Sequence, residues 1–450
     1  MNKKIIKILH ITPHLGGGVG RVLLNYLKNV QNDSDFLHKV ACLDYANEHA
    51  LEVTTNIGII MTDRMSYNIN KLHSMIIGAD IVLIHWWNHP LLYAFLVKET
   101  LPPARIIFWS HISGFHPPYV FSRTGLNYPD IFVFTTPLSL ETPEVQSLTE
   151  ERQKNLRVVW STGGIKQVET IKRKPHDGFK IGYIGTVDYC KMHPNFVKIN
   201  SRINIPDAQF IVCGGSNEKQ IQEESLKYGV EKRFLFTGQV NNIINYLSEF
   251  DVFGYPLAPY HYGTCEQSLC ESMASGIPPV VLANKTEKYI VEDGITGIVA
   301  QNEQEYIDGI KILYNNIELR KLLSSNAKKV AKQRFSMELM VNKWANIFEE
   351  ILKFPKITRK WKSKYNGKST TPAYLFLESL GKYNKPFLDY CNAQDDNDKI
   401  ETISKIKKMS NSSIWQARTK GTVHHYNHFF PGDKYLMEWS KLIADNENRR

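Results

Sequence analysis

The sequence predicts an α/β protein built from two consecutive parallel-sheet domains. Short apolar strands alternate with amphipathic helical segments over the first 165 residues. A basic, polar stretch, KQVETIKRKPHD (residues 166–177), then interrupts the alternation, which resumes and continues to about residue 350. The strands are apolar along their whole length, which is typical of parallel sheets covered by helices on both faces.

Six strands rich in Ile, Val and Phe are predicted in the first half of the chain. They cover residues 5–11, 39–44, 58–61, 80–85, 105–110 and 131–135. The segments between them, such as residues 19–30 and 90–99, have the spacing of amphipathic helices. This pattern predicts a Rossmann-like domain over residues 1–165.

The second half repeats the pattern after the stretch 166–177, which we interpret as an interdomain linker. Six further strands are predicted at residues 180–184, 208–213, 234–237, 251–255, 279–282 and 297–300. They predict a second Rossmann-like domain over residues 166–340, followed by a helical segment at 336–353.

Residues 356–450 do not continue the alternation and predict a mostly helical extension with an aromatic tail. Three histidines there, His424, His425 and His428, lack a carboxylate or Cys to complete a metal site, so we interpret them as a packing segment. The acidic patch at 395–398 is interpreted as a solvated loop.

Composition indicates a folded protein without a membrane span. Of 450 residues, 42% are hydrophobic and 22% charged. The N-terminal apolar run is broken by Lys7 and His10 and lacks a cleavage site, so it predicts a strand rather than a signal peptide. Six cysteines without a Cys-x-x-Cys pair favour free thiols in a reducing compartment. We therefore expect a cytoplasmic protein with neither a disulfide framework nor a zinc site.

The net charge of +10 is unevenly distributed. The run from Lys353 to Lys368 contains seven Lys or Arg and no acid, with Phe354, Trp361 and Tyr365 interleaved. Basic residues with aromatics suit an anionic membrane surface, which predicts peripheral attachment at the inner face of the membrane. A solvated linker or helix face is the alternative. No nucleic-acid motif accompanies the run, so nucleic acid is not an expected partner.

The segment 262–300 is the most informative about function. Glu271 lies in the run SLCESMASG, where Leu269 and Met273 share a helix face and Gly276 is a natural stop. A carboxylate early in a helix can accept hydrogen bonds from ribose or sugar hydroxyls. Backbone N–H groups at the helix start can bind phosphate oxygens. These features suit a sugar nucleotide.

The run ESMASGIPPV (residues 271–280) resembles the donor-binding signature of retaining glycosyltransferases of the GT-B fold, family 4 (glycosyl transferases group 1). In that family a first Glu, seven residues and a second Glu precede Ala-Met-Ala-x-Gly-x-Pro. Counting back eight positions from Glu271 gives Gly263, and the nearest upstream acid is Glu266, so the spacing is Glu-x4-Glu.

The resemblance covers residues 1–350 and implies two Rossmann-like domains facing a cleft. Residues 1–165 would bind the acceptor and residues 166–340 the donor, with residues 341–355 crossing back as the family's terminal helix. By this resemblance Glu271 binds the ribose, and Glu266 contacts the sugar from a different loop position. Three polar residues around the helix start would complete the donor site: Thr264, Gln267 and Ser268.

The loop YIGTVDYCKMHPNF (residues 183–196) matches the family's diphosphate-binding turn in part. The family places an Arg shortly after the glycine and a Lys about five residues on. Here Thr186 stands where the Arg would be, and Lys191 keeps the Lys. A lysine at this point can neutralise the charge that develops on a leaving diphosphate. We assign Gly185, Thr186 and Lys191 to donor binding and Lys191 to catalysis, with an exposed loop lysine as the alternative.

The glycine-rich turn GGGVGRVL after the first strand does not match the dinucleotide fingerprint Gly-x-Gly-x-x-Gly. Counted from Gly16, the last glycine position holds Arg21. By the family resemblance Gly17 and Gly18 leave room for the donor's phosphates or for the acceptor. A tight strand-to-helix turn explains the glycines equally well.

His111 follows the predicted strand RIIFWS, at the edge where parallel sheets bind ligands. In the family a histidine after a strand of the first domain contacts the donor sugar near the reacting carbon, so His111 is assigned to the catalytic site. Four other histidines are similarly placed and remain alternatives: His14, His85, His89 and His116.

The function implied is transfer of a hexose from a UDP-linked sugar to an acceptor hydroxyl with retention, in polysaccharide, glycolipid or glycoprotein assembly. The acceptor would be a glycan, a lipid-linked sugar or a protein. Basic groups and helix N-termini would stabilise charge, so no metal is expected. A non-catalytic GT-B binding subunit and a nucleotide-sugar epimerase are alternatives, and the failed fingerprint disfavours a dehydrogenase.

Overall fold

The computed structural model describes residues 5–162, 165–215, 217–240, 242–365, 367 and 370–443. Two compact units are present. The first contains residues 1–160 and 341–450, and the second contains residues 161–340. The segment 166–177, interpreted above as a linker, lies inside the second unit.

The first unit contains a seven-stranded parallel sheet in the order β10-β9-β6-β4-β1-β2-β3. The strands of this sheet are β1 (Ile6–Thr12), β2 (Phe36–Cys42), β3 (Ile60–Thr62), β4 (Ile81–Trp86), β6 (Ile106–Ser110), β9 (Ile131–Phe134) and β10 (Leu156–Val158). Three short strands lie outside it and form antiparallel pairs: β5 (Thr100–Ala104), β7 (Phe115–His116) and β8 (Tyr119–Val120). The helices between them are α1 (Gly17–Val30), α2 (Glu48–Asn56), α3 (Ile69–Gly78), α4 (Pro90–Lys98), α5 (Arg123–Asn127), α6 (Pro143–Gln146) and α7 (Glu150–Gln153).

The second unit contains a six-stranded parallel sheet in the order β13-β12-β11-β14-β15-β16. The strands are β11 (Phe179–Ile184), β12 (Ala208–Cys213), β13 (Phe234–Phe236), β14 (Val252–Tyr255), β15 (Pro279–Leu282) and β16 (Ile298–Ala300). The helices are α8 (Ile165–Val168), α9 (Phe196–Ser201), α10 (Glu218–Lys227), α11 (Ile244–Leu247), α12 (Gln267–Ala274), α13 (Lys285–Ile290), α14 (Glu303–Asn315) and α15 (Ile317–Phe335).

All twelve predicted strands are present within three residues of their predicted bounds, and the predicted fold class is confirmed. The central strands are buried along their whole length, as in β4 and β6. The prediction missed the short edge strand β10 and the pairs formed by β5, β7 and β8, because two- to five-residue strands carry little periodic signal.

The helix α16 (Met337–Ile351) contains the boundary between the two units, between Met340 and Val341. Its later part packs on the first sheet. Trp344 lies edge-on to Trp109 with ring centroids 4.9 Å apart, and Phe348 lies 5.4 Å from Phe36. These aromatic contacts anchor the helix to the first unit.

The C-terminal extension belongs to the first unit and is mostly helical, as predicted. It consists of β17 (Ile357–Lys360), which pairs with β5, and of α17 (Pro372–Leu380), α18 (Lys385–Asn392), α19 (Asp396–Lys408), α20 (Val423–Phe429) and α21 (Lys434–Leu442). Asn88 Nδ2 donates to Ser379 O at 2.8 Å, and His425 stacks on Trp87. The extension therefore shares a core with the first sheet.

The acidic patch at 395–398 is a helix start rather than the loop that we predicted. Asp395 caps α19, and its carboxylate accepts from Asp398 N at 2.8 Å. A carboxylate at this position satisfies an otherwise unpaired backbone N–H and interacts favourably with the helix dipole.

Part of the basic run from Lys353 to Lys368 has a structural role. Arg359 is buried and donates to Ala104 O at 2.8 Å and to Tyr128 O at 3.0 Å, and it also pairs with Asp130. Trp361 is buried as well, with Nε1 donating to Glu378. These two side chains are therefore unavailable to a membrane.

Four lysines of the same run are exposed: Lys353, Lys360, Lys362 and Lys364. Lys368 lies outside the described residues. No helix in the described ranges combines the length and the apolar character needed to cross a bilayer.

Arg359→Ala should lower the free energy of unfolding by about 3 kcal/mol, because it leaves the buried Asp130 carboxylate without its cation. Denaturant unfolding followed by tryptophan fluorescence measures this change. The neighbouring exposed Lys360→Ala is the matched control and should stay within about 0.5 kcal/mol of the parent. Equal stabilities for the two variants would show that Arg359 does not hold the extension in place.

Candidate functional site

The second unit brings Lys191 and Glu266 together at one edge of its sheet. Lys191 follows β11 and Glu266 follows β14, and these two strands are neighbours. Lys191 Nζ lies 2.9 Å from Glu266 Oε2, and Glu266 is only 3% exposed. Both residues were predicted site residues, at sequence positions 75 residues apart.

Further contacts hold this ion pair in place. Tyr255, the last residue of β14, donates its hydroxyl proton to Glu266 Oε2 at 2.7 Å. The rings of Tyr255 and Tyr262 lie 5.7 and 5.8 Å from Lys191 Nζ, which gives cation–π contacts with the ammonium group. The lysine is therefore preorganised before any ligand binds.

The two charges shift each other's pKa values. Burial alone would raise the pKa of Glu266, but the charge of Lys191, the neighbouring His261 and the hydrogen bonds from Lys191 and Tyr255 outweigh it and lower the pKa. Burial alone would lower the pKa of Lys191, but Glu266 raises it. Both groups are charged at neutral pH.

Gly263 and Glu266 are complementary in shape. A Cβ atom added at Gly263 would lie 1.5 Å from Glu266 Oε1, so the carboxylate fills the space beside a residue that has no side chain. Gly263 is the position at which the resembled signature has its first Glu. In this chain the carboxylate of Glu266, three residues later, therefore lies beside the position of that first Glu.

A second buried pair adjoins the first. His261 Nδ1 accepts from Gly263 N at 3.0 Å, so its proton is on Nε2, which lies 3.0 Å from Glu287 Oε1. His261, Glu266 and Glu287 could together offer three ligand atoms to a metal ion. Protein groups already engage these atoms, and the geometry is that of a charged hydrogen-bond network.

The other predicted donor residues lie around this pair. Thr186 Oγ1 and Tyr262 OH are 2.9 Å apart. Gly185 directly follows β11 and lies beside Gly214. A Cβ atom added at Gly214 would lie 1.8 Å from Gly185 O, so only glycine fits at Gly214. Glu271 is 1% exposed in α12, the helix for which Glu266 is the N-terminal cap residue.

Three polar residues flank the start of α12 and are half-buried: Thr264, Gln267 and Ser268. They are accessible at the same edge of the sheet that carries Lys191. The start of a helix offers backbone N–H groups to an anion, as the sequence suggested.

In the first unit, His111 lies directly after β6 and is partly exposed. Its Nε2 atom is 3.1 Å from His85 Nδ1, and two further histidines continue this contact across the sheet. The predicted Gly17 and Gly18 form the exposed start of α1 after β1, where Gly17 has φ +61°. These residues belong to a different unit from Lys191 and Glu266.

The first unit also contains a cavity of about 250 Å³ lined by Arg418, His424, Asn427 and His428. Three of these residues lie on α20, whose His425 packs on Trp87 and His89 in the loop after β4. The extension therefore forms a polar cavity near the carboxyl ends of the first sheet. The histidine segment, which we interpret from the sequence as a packing segment, thus also lines a cavity.

Sequence reasoning missed four residues that surround the ion pair: Tyr255, His261, Tyr262 and Glu287. No spacing pattern joins them, since they come from a strand end, a loop and the later helix α13. The only available signal was the polar content of the segment between β14 and α12.

The second unit is similar in sequence to known glycosyltransferases. Residues 165–330 match the family model of the glycosyl transferases group 1, so the predicted resemblance to that group is confirmed for this region. An uncharacterized glycosyltransferase of Methanocaldococcus jannaschii is 24% identical over 216 residues, 44% of this chain and 54% of the relative. The 2-deoxystreptamine N-acetyl-D-glucosaminyltransferase of Niallia circulans is 28% identical over 122 residues, 26% of this chain and 31% of the relative. The matches thus span about half or less of these relatives.

Solved structures show the same fold. The HepE protein of Anabaena in complex with UDP-glucose superposes with a TM-score of 0.62 at 17% identity, covering 77% of this chain and all of that one. The chain therefore has the GT-B fold, with two Rossmann-like parallel-sheet domains and a helical C-terminal region. Its second unit carries the sequence features of the glycosyl transferases group 1.

Glu266→Gln should destabilise the protein by about 3 kcal/mol at pH 7, because it leaves the buried Lys191 without a counter-charge. Since the pKa of Glu266 is lower in the folded state, its stabilising contribution is present above the unfolded pKa of about 4.3 and disappears as the pH falls. The difference between parent and variant should therefore shrink below about pH 4.

Urea unfolding of both proteins between pH 7 and pH 3 measures this difference. The exposed Glu223→Gln is the matched control and should follow the parent at every pH. A difference that stays constant with pH would contradict an ionised Glu266 in the folded protein.

Proposed function

We propose that this protein transfers a hexose from a UDP-linked sugar to an acceptor hydroxyl, with retention of the anomeric configuration. The observation that carries the proposal is the buried Lys191–Glu266 pair at the carboxyl edge of the second sheet. This pair lies within the region that matches the glycosyl transferases group 1. The UDP-glucose complex of a protein with the same fold supports the choice of donor.

Lys191 would stabilise the diphosphate as it leaves. The bond between the anomeric carbon and the diphosphate oxygen breaks, and negative charge builds up on that oxygen near the ammonium group. Because Glu266 and two tyrosine rings already hold the lysine in place, little reorganisation is needed at that moment. No metal ion is required in this scheme.

The acceptor oxygen would form its bond on the face that the diphosphate leaves, and its proton would pass to a diphosphate oxygen. In this proposal Glu271 binds the ribose, the residues flanking the start of α12 bind phosphate oxygens, and Glu266 contacts the transferred sugar. No protein nucleophile is needed for retention by this route.

The cavity lined by Arg418, His424, Asn427 and His428 supports an acceptor site in the first unit. A hexose fits a volume of about 250 Å³, and guanidinium, imidazole and amide groups suit hydroxyl, phosphate or carboxylate oxygens. The four exposed lysines of the basic run support contact with an anionic membrane, where a lipid-linked acceptor would be found.

A screen of nucleotide sugars, with and without lipid-linked and glycan acceptors, tests the proposal through release of UDP. Lys191→Ala should lower kcat by about 10²–10³-fold, because it removes the charge that stabilises the leaving group. Glu271→Ala should weaken donor binding. The exposed Lys198→Ala and Glu223→Ala are controls that should retain full activity.

The outcomes separate the alternatives. Tight UDP binding without turnover on any acceptor would indicate a binding subunit. Conversion of a UDP-sugar into its isomer with no acceptor present would indicate an epimerase. Absence of nucleotide binding would refute the donor site, and inverted anomeric configuration in the product would refute retention.

Gly263→Ala should reduce turnover by about 100-fold, because the added Cβ displaces the Glu266 carboxylate and with it Lys191. The double variant Gly263→Glu with Glu266→Gly restores the family spacing and should recover part of the loss. Gly78→Ala, where a Cβ meets nothing within 4 Å, is the control. Full activity of Gly263→Ala would show that the position of the Glu266 carboxylate is unimportant.

A further inference from the structure

Four histidines form a hydrogen-bonded chain across the first sheet. His38 Nδ1 lies 2.9 Å from His10 Nε2, His10 Nδ1 lies 3.2 Å from His85 Nε2, and His85 Nδ1 lies 3.1 Å from His111 Nε2. The four residues come from β2, β1, β4 and the end of β6, four consecutive positions in the sheet order. The first three are at most 3% exposed.

All four rings are neutral at physiological pH. Burial lowers the pKa of His38 to about 4 and that of His111 to about 3, and it places the pKa values of His10 and His85 well below the ordinary value. A neutral imidazole has one N–H and one lone pair. Each ring can therefore donate at one nitrogen and accept at the other.

With one N–H per ring, only two proton arrangements satisfy all three contacts. In one, every ring carries its proton on Nδ1 and donates toward His111. In the other, every ring carries its proton on Nε2 and donates toward His38. If rings of both tautomers occur within one chain, at least one of the three contacts has two protons or none.

The surroundings of His38 distinguish the two arrangements. His38 Nε2 is buried and has no hydrogen-bond partner among the described residues. The rings of Tyr26 and Phe348 lie 5.6 and 6.2 Å from the His38 ring. The second arrangement would place an N–H group at this site, and buried N–H groups without a partner are rarer than buried acceptors without one. The first arrangement leaves only a lone pair there.

We propose that His38, His10 and His85 are positioning residues that fix the tautomer of His111, so that His111 carries its proton on Nδ1. His111 Nε2 is occupied by His85, and Nδ1 is the nitrogen that remains for a ligand. His111 therefore acts as a hydrogen-bond donor to a ligand oxygen and not as a general base. That the ligand is a sugar hydroxyl or a phosphate oxygen rests on the proposed function.

Histidine-selective ¹⁵N labelling of the full-length protein tests the tautomers directly. Long-range ¹H–¹⁵N correlation spectra distinguish a protonated Nδ1 from a protonated Nε2, and single His→Asn variants assign the signals. We expect an Nδ1–H tautomer for all four histidines. An Nε2–H tautomer at His111, or an Nε2–H of His38 donated toward an aromatic ring, would overturn the proposal.

Variants at the far end of the chain test the positioning role. His38→Ala leaves space for a water molecule beside His10 Nε2, and because a water can donate or accept there, His111 should show a mixture of tautomers and kcat for UDP release should fall about threefold to tenfold. His38→Leu keeps this site apolar and leaves only a lone pair on His10 Nε2, so it should keep the single tautomer and the rate. The exposed His49→Leu is the control.

An unchanged His111 tautomer in His38→Ala would refute the positioning role. The spectra of the parent protein decide the direction of the hydrogen bonds even if His38→Ala does not fold. If the parent shows Nδ1–H at His111 but no turnover with any donor, the proposed function fails and the tautomer assignment stands.

Discussion

Parallel strands all end on the same edge of their sheet, and the pairing of neighbouring strands brings residues that are remote in the chain into contact. Lys191 and Glu266 meet because β11 and β14 are neighbours in the second sheet. In the first sheet the pairing of four neighbouring strands aligns four histidines, from the third residue of β2 to His111 directly after β6. Helices cover both faces, so polar groups near this edge are buried and require protein partners.

Burial has opposite consequences in the two units. In the second unit two opposite charges compensate each other, and the pair stays ionised because Lys191 lowers the pKa of Glu266. In the first unit the hydrogen bonds of the histidine chain involve no carboxylate among the described residues, and burial keeps the rings neutral. The second sheet thus holds the Lys191 ammonium group in a fixed position. The first sheet provides a chain of histidine hydrogen bonds that all point in one direction.

Sequence periodicity predicted the strands correctly, but it did not predict which side chains surround Lys191 and Glu266. Apolar runs such as β4 and β12 are detectable because burial on both faces requires a continuous apolar segment. The role of Arg359 was not detectable, because its partners Ala104, Tyr128 and Asp130 are more than 200 residues away. The same limit applies to His261 and Glu287, whose pairing depends on how two loops pack.

The sequence by itself determined the two-domain α/β architecture, the glycosyl transferases group 1 signature around Glu271 and the presence of Lys191, since each depends on local patterns of a few consecutive residues. Only the tertiary structure showed that Glu266 occupies the space beside Gly263, that the extension joins the first core, and that four histidines are linked. Those facts depend on distances between residues remote in the chain. Such distances are set by the packing of strands and loops, which no local pattern records.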